Sequence, residues 1–175
     1  MEYYIISQDD RIIDYAEPTG LSKVISRDAV RNGDIDTLND EPVQVFIKEK
    51  AENEYIDFIE KPIPLITDKI KQVFDMYEKD IFYKPIMLAD SKRMKVALYH
   101  LIVPQKLNCL SQKSEFYPDG TLKKLVLDKG KIESTKVFSV KGIKEDYLII
   151  ELDVVESILR RNSTGIKLKK AEVES

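Results

Sequence analysis

The chain of 175 residues carries 28 Lys or Arg, 31 Asp or Glu and a single His, a formal net charge of −3 at pH 7, and that length fits one domain with its own core. Hydrophobic and charged fractions of 43% and 34% exclude a disordered or fibrous chain. The lone cysteine, Cys109, excludes an intramolecular disulfide, no apolar run approaches a membrane span, and Met1 to Ser7 lacks a basic secretion start, so a cytoplasmic protein without a membrane partner is expected.

A first strand is predicted at Tyr3 to Ser7, followed by turn-rich sequence through Pro18-Thr19-Gly20. Leu21, Val24, Ile25 and Ala29 at helical spacing predict one weak helix from Leu21 to Arg31, stopped by Asn32-Gly33. The acidic stretch Asp34 to Glu41 reads as a loop, and Pro42 introduces a strand at Val43 to Lys48. An extended piece at Tyr55 to Ile59 runs into Lys61-Pro62-Ile63-Pro64, where two prolines forbid a central strand. Thr67 then caps the most secure helix, with Ile70, Val73, Phe74 and Tyr77 on one face. Tyr83 to Ala89 and Met94 to Val103 follow as strands, and the second, apolar on both faces, is expected to be central. Pro118-Asp119-Gly120 makes a turn into a strand at Leu122 to Leu127, and Val137 to Val140 and Tyr147 to Leu152 continue the sheet. Asp153 with Glu156 reads as the capping box of a short second helix, and Ile166 to Leu168 returns to a strand. Helices and strands are segregated, so the fold class is α+β: one domain over 1–175, with a mainly antiparallel or mixed sheet and two or three helices.

Charge divides this domain into an acidic part, 1–60, with 6 cations against 15 carboxylates, and a remainder, 61–175, with 22 against 16. The cluster Asp34, Asp36, Asp40 and Glu41 is the candidate partner-binding segment, beside the plainer reading of a solvated loop. Little else carries chemistry. His100 lies in the most apolar strand, where a core role outweighs that of a general base, and pairing it with Cys109 as nucleophile needs a hydrogen-bond reach that Val103-Pro104 works against. One Cys and one His cannot build a Cys/His metal site, and the acidic segment lacks the spacing of a calcium loop. No glycine-rich phosphate loop or other cofactor motif occurs, and an acidic chain is not expected to bind nucleic acid. The residues therefore point to a binding protein and away from an enzyme.

Pro64 to Asp68, Leu110 to Phe116, Lys136 to Val140 and Ser157 to Arg161 with Thr164 to Ile166 resemble one bacterial family, the eleventh catalogued group of polymorphic-toxin immunity proteins. The likeness runs over roughly residues 55–173, and the chain departs from the family's pattern in having no tryptophan. The resemblance implies an α+β protein that neutralises a cognate toxin by direct binding at its active site or substrate groove. It carries over a role, and no site residues. The alternatives are a small enzyme or ligand-binding domain with a pocket that forms no motif, and a regulatory or scaffold subunit in phage defence.

Overall fold

A computed structural model describes residues 1–175. In chain order the elements are β1 (Tyr3–Gln8), α1 (Leu21–Val24), α2 (Arg27–Asn32), α3 (Ile35–Leu38), β2 (Val43–Phe46), β3 (Phe58–Ile59), β4 (Leu65–Thr67) and α4 (Asp68–Tyr77). The long hairpin β5 (Phe82–Asp90) and β6 (Lys95–Val103) follows, then β7 (Lys106–Leu107), β8 (Glu115–Phe116), β9 (Leu122–Lys124), β10 (Val126–Asp128), α5 (Lys129–Ile132), β11 (Val137–Val140), β12 (Leu148–Glu151), α6 (Leu152–Leu159), β13 (Ile166–Lys170) and β14 (Glu172–Glu174).

These make two five-stranded mixed sheets, ordered β13-β1-β12-β11-β7 and β2-β5-β6-β4-β3. The pairings β2 with β5 and β11 with β7 are parallel, and the others within the two sheets are antiparallel. Because side chains alternate across a strand, each sheet feeds two cores. In β6, Tyr99, Leu101 and Val103 pack with Leu21, Ile25, Ala29 and Leu38 of the α1–α3 segment, while Ile102 points the other way. In β12, Leu148 and Ile150 share that second core with Ile102, and Ile149 joins a third with Tyr3, Cys109 and Phe138. The second core holds Ile70, Val73 and Phe74 of α4 and Val154, Val155 and Ile158 of α6, so this helix pair lies between the sheets. The fold is a single α+β domain, and β6 is the middle strand of its sheet, as its sequence predicts.

The local departures have local causes. The helix expected over Leu21 to Arg31 is two helices, because Ile25 turns extended into the core and the Ser26 hydroxyl accepts from Ala29 N at 3.1 Å, starting α2 afresh. The acidic stretch is not a plain loop: Asp34 caps the one-turn helix α3, whose Leu38 is buried. Leu122 to Leu127 breaks into β9, which pairs with β8, and β10, which pairs parallel with β14. The second long helix starts at Leu152 with Glu151 as N-cap and no side-chain cap bond; Asp153 instead pairs with Lys136 at 2.7 Å. Six helices form in place of two or three, because three of them are single turns too short to show a periodicity.

Candidate functional site

The four acidic candidates sit on a segment anchored from beneath. Lys84 of β5 is buried, and its ammonium donates to Asn39 Oδ1 at 3.0 Å and to the Glu41 carbonyl at 2.7 Å. Carbonyl and amide oxygens satisfy this buried cation, so the carboxylates of the segment are not consumed by it. None of Asp34, Asp36, Asp40 and Glu41 forms an ion pair, although all four are exposed. Asp34 alone is committed locally: its oxygens accept from Thr37 N at 3.2 Å and Thr37 Oγ1 at 2.6 Å, bonds that lower its pKa. The segment thus presents free negative charge on a fixed backbone.

The structure does not bring His100 and Cys109 together. His100 lies on β6 with its Nε2 3.2 Å from Oδ1 of Asp68, and burial lowers its pKa more than Asp68 raises it. Cys109 packs in the core on the far side of the other sheet, where burial pushes its thiol up to about 11. A thiol held protonated is a poor nucleophile. No group of three or more His, Cys, Asp or Glu side chains is placed to hold a metal ion.

Two features went unread in the sequence. The first is an apolar sheet face. The register pairs Met87 with Leu98 and Ala89 with Val96 across the β5–β6 hairpin, and Phe46 with Ala89 on the β2 side. These side chains face away from the packed Val45, Ile86, Leu88 and Tyr99. Helix α4 covers this face only as far as His100, so Phe46, Val96 and Leu98 remain 55%, 52% and 43% exposed. Met94, at the hairpin tip, is 89% exposed and holds a left-handed φ of 53°. In the sequence, the apolar run Val96 to Val103 looks buried throughout; only the length of α4 shows where its cover stops.

The second is a cleft of about 580 Å³ where the ends of the two sheets diverge. Its apolar lining includes Ile63, Phe82, Ile102, Val103, Tyr147 and Leu148, and Arg27, Arg31, Lys106 and Lys141 surround it together with Asp80, Glu145 and Asp146. The Arg31 guanidinium donates to both oxygens of Asp146, at 3.1 and 3.0 Å, and Lys106 Nζ donates to the Arg31 carbonyl at 2.8 Å. These contacts fasten α2 to the first sheet. Their sources are more than 70 residues apart in the chain, so no spacing motif could have announced the cleft.

No known family model matches the chain, and no curated protein matches it.

Proposed function

We propose that this chain is an immunity protein that acts in the bacterial cytoplasm, binding a cognate toxin and neutralising it by occluding the active site or substrate groove. The observation that supports this reading is the uncovered row Phe46, Met87, Val96 and Leu98 on a rigid sheet. Contiguous apolar side chains left exposed on regular strands mark interaction sites, whereas single exposed ones do not. Aromatic residues and Met are also the types enriched at the centres of protein interfaces. The bulky Met94, held in a costly backbone conformation at the hairpin tip, extends the same apolar edge into solvent.

The chemistry of the partner follows from the charge beside this row. Asp40 and Glu41 immediately precede Pro42 and β2, and Phe46 ends that strand, so the free carboxylates and the apolar row are about 17 Å apart at strand rise. That separation lies within one interface of ordinary size. A protein with an apolar centre and a basic flank is complementary, and a toxin that acts on nucleic acid carries such a basic groove.

Coexpression with the product of the adjoining gene tests the reading. Restored growth and a stoichiometric complex are the expected results, and the double variant Val96→Glu, Leu98→Glu is expected to lose both while its circular dichroism and melting temperature stay unchanged. A wild-type chain that neither restores growth nor binds that product sinks the proposal. A second reading, a ligand-binding domain, is favoured by the cleft alone.

A further inference from the structure

We propose that the cleft between the two sheets binds a small amphipathic anion, a flat apolar body carrying one carboxylate or phosphate group. This site is separate from the toxin-binding face and does not depend on it.

Size is the first argument. A volume of about 580 Å³ lies within the roughly 300–1,000 Å³ of small-molecule sites. The lining supplies the second. Ile63, Ile102, Val103 and Leu148 are buried and form an apolar floor, while the rings of Phe82 and Tyr147 are half-buried at its sides. An apolar floor between two aromatic rings suits a planar body, which gains offset or edge contacts with the rings in addition to area burial.

Charge sets the sign of the polar group. Of the four cations around the cleft, Arg31 is neutralised by Asp146 and Lys106 is occupied by the Arg31 carbonyl. Arg27 and Lys141 are exposed and have no side-chain hydrogen bond or ion pair within the protein. On the acidic side, Asp146 is taken by Arg31, and Glu145 Oε1 accepts from Leu122 N at 2.7 Å, which leaves Asp80 as the one carboxylate without a partner. Two uncommitted cations against one uncommitted carboxylate favour an anion. Arg27 and Arg31 are moreover two of only six cations in the first 60 residues, a part of the chain with 15 carboxylates. The local field is therefore opposite in sign to its sequence surroundings, as a binding site for an anion requires. A guanidinium offers a planar pair of donors that carboxylate and phosphate both match.

The probe is 8-anilinonaphthalene-1-sulfonate, whose fused rings and single negative charge match the proposed ligand. Titration of the native protein is expected to give saturable 1:1 binding with enhanced, blue-shifted fluorescence. The double variant Arg27→Ala, Lys141→Ala removes two charge-assisted contacts and is expected to weaken binding about tenfold or more, with the melting temperature unchanged because both side chains are exposed. Displacement by 2-naphthoate against displacement by adenosine monophosphate separates a carboxylate ligand from a phosphate one; displacement by neither overturns the proposal. Absence of saturable binding also overturns it. So does binding that survives the Arg27, Lys141 variant but is lost in Val96→Glu, Leu98→Glu, because the probe is then on the open sheet face.

Discussion

Gly165 shows how closely a single residue can be determined by its surroundings. It follows α6 in the left-handed region at φ 75°, its carbonyl accepts from Asp9 N at 2.9 Å, and a Cβ built on it would stand 2.7 Å from Ile56 Cγ2. The Asn162-Ser163-Thr164-Gly165 turn predicts the positive φ; the contact with Ile56 is tertiary and invisible in the sequence. Gly165→Val meets both penalties, strain of about 1–2 kcal/mol and overpacking of about 1–3 kcal/mol, so a loss of about 2–5 kcal/mol is expected in urea denaturation. A variant as stable as wild type would require another turn geometry. His100 is buried at 7% exposure, and its removal to Ala is expected to cost about 1–3 kcal/mol through a cavity and an unpaired Asp68 contact. Its folded pKa is depressed by burial, so the unfolded chain binds a proton more readily. Both forms are neutral at high pH, and stability is lost as pH falls below the ordinary histidine value of about 6.5. Urea midpoints for wild type are expected to drop more between pH 7.5 and pH 5.5 than those of His100→Gln; equal drops would mean that this imidazole does not titrate differently on folding.

At the scale of elements, the acidic segment is where sequence and structure part most usefully. Its four carboxylates are legible in composition, but the one-turn α3 is not, because its only buried apolar side chain is Leu38 and its anchor is Lys84, more than 40 residues away. The distinction changes the experiment that tests it. Asp34 caps α3, so its reversal costs a helix cap of about 1 kcal/mol as well as a charge, whereas Asp36, Asp40 and Glu41 are exposed and free of such a role. Asp36→Lys, Asp40→Lys, Glu41→Lys is therefore the clean variant. It is expected to slow association with the cognate toxin about tenfold or more at low salt and to flatten the salt dependence, with little change in melting temperature. Unchanged association kinetics would remove this segment from the interface. The same limit on local patterns explains the divided Leu21 to Asn32 helix, where the pull of the core on Ile25 and the Ser26 cap outweigh a continuous helical spacing. By contrast α4, whose apolar face is ten residues long, is legible from end to end.

For the whole molecule, α+β segregation and the central place of β6 follow from pattern, but two sheets around a shared helix pair do not, because strand partners are chosen by long-range packing and carry no local mark. The cleft and the open apolar face are both products of that arrangement: one lies where the sheets separate and the other where α4 ends, so neither has a counterpart in the sequence. The place of β1 has a consequence for synthesis. Tyr4 pairs with Ile150 on one side and with Lys170 on the other, so the earliest strand to leave the ribosome is interior to a sheet whose neighbours are made near the end. The second sheet needs only residues 43–103 for its strands and can pair while the chain is still growing. The first sheet must wait, with the apolar edge of β1 unpaired through most of translation, and loop closure over so long a separation is slow. Its completion is the last step in making the protein, and the half that emerges last decides when the half that emerged first is finished.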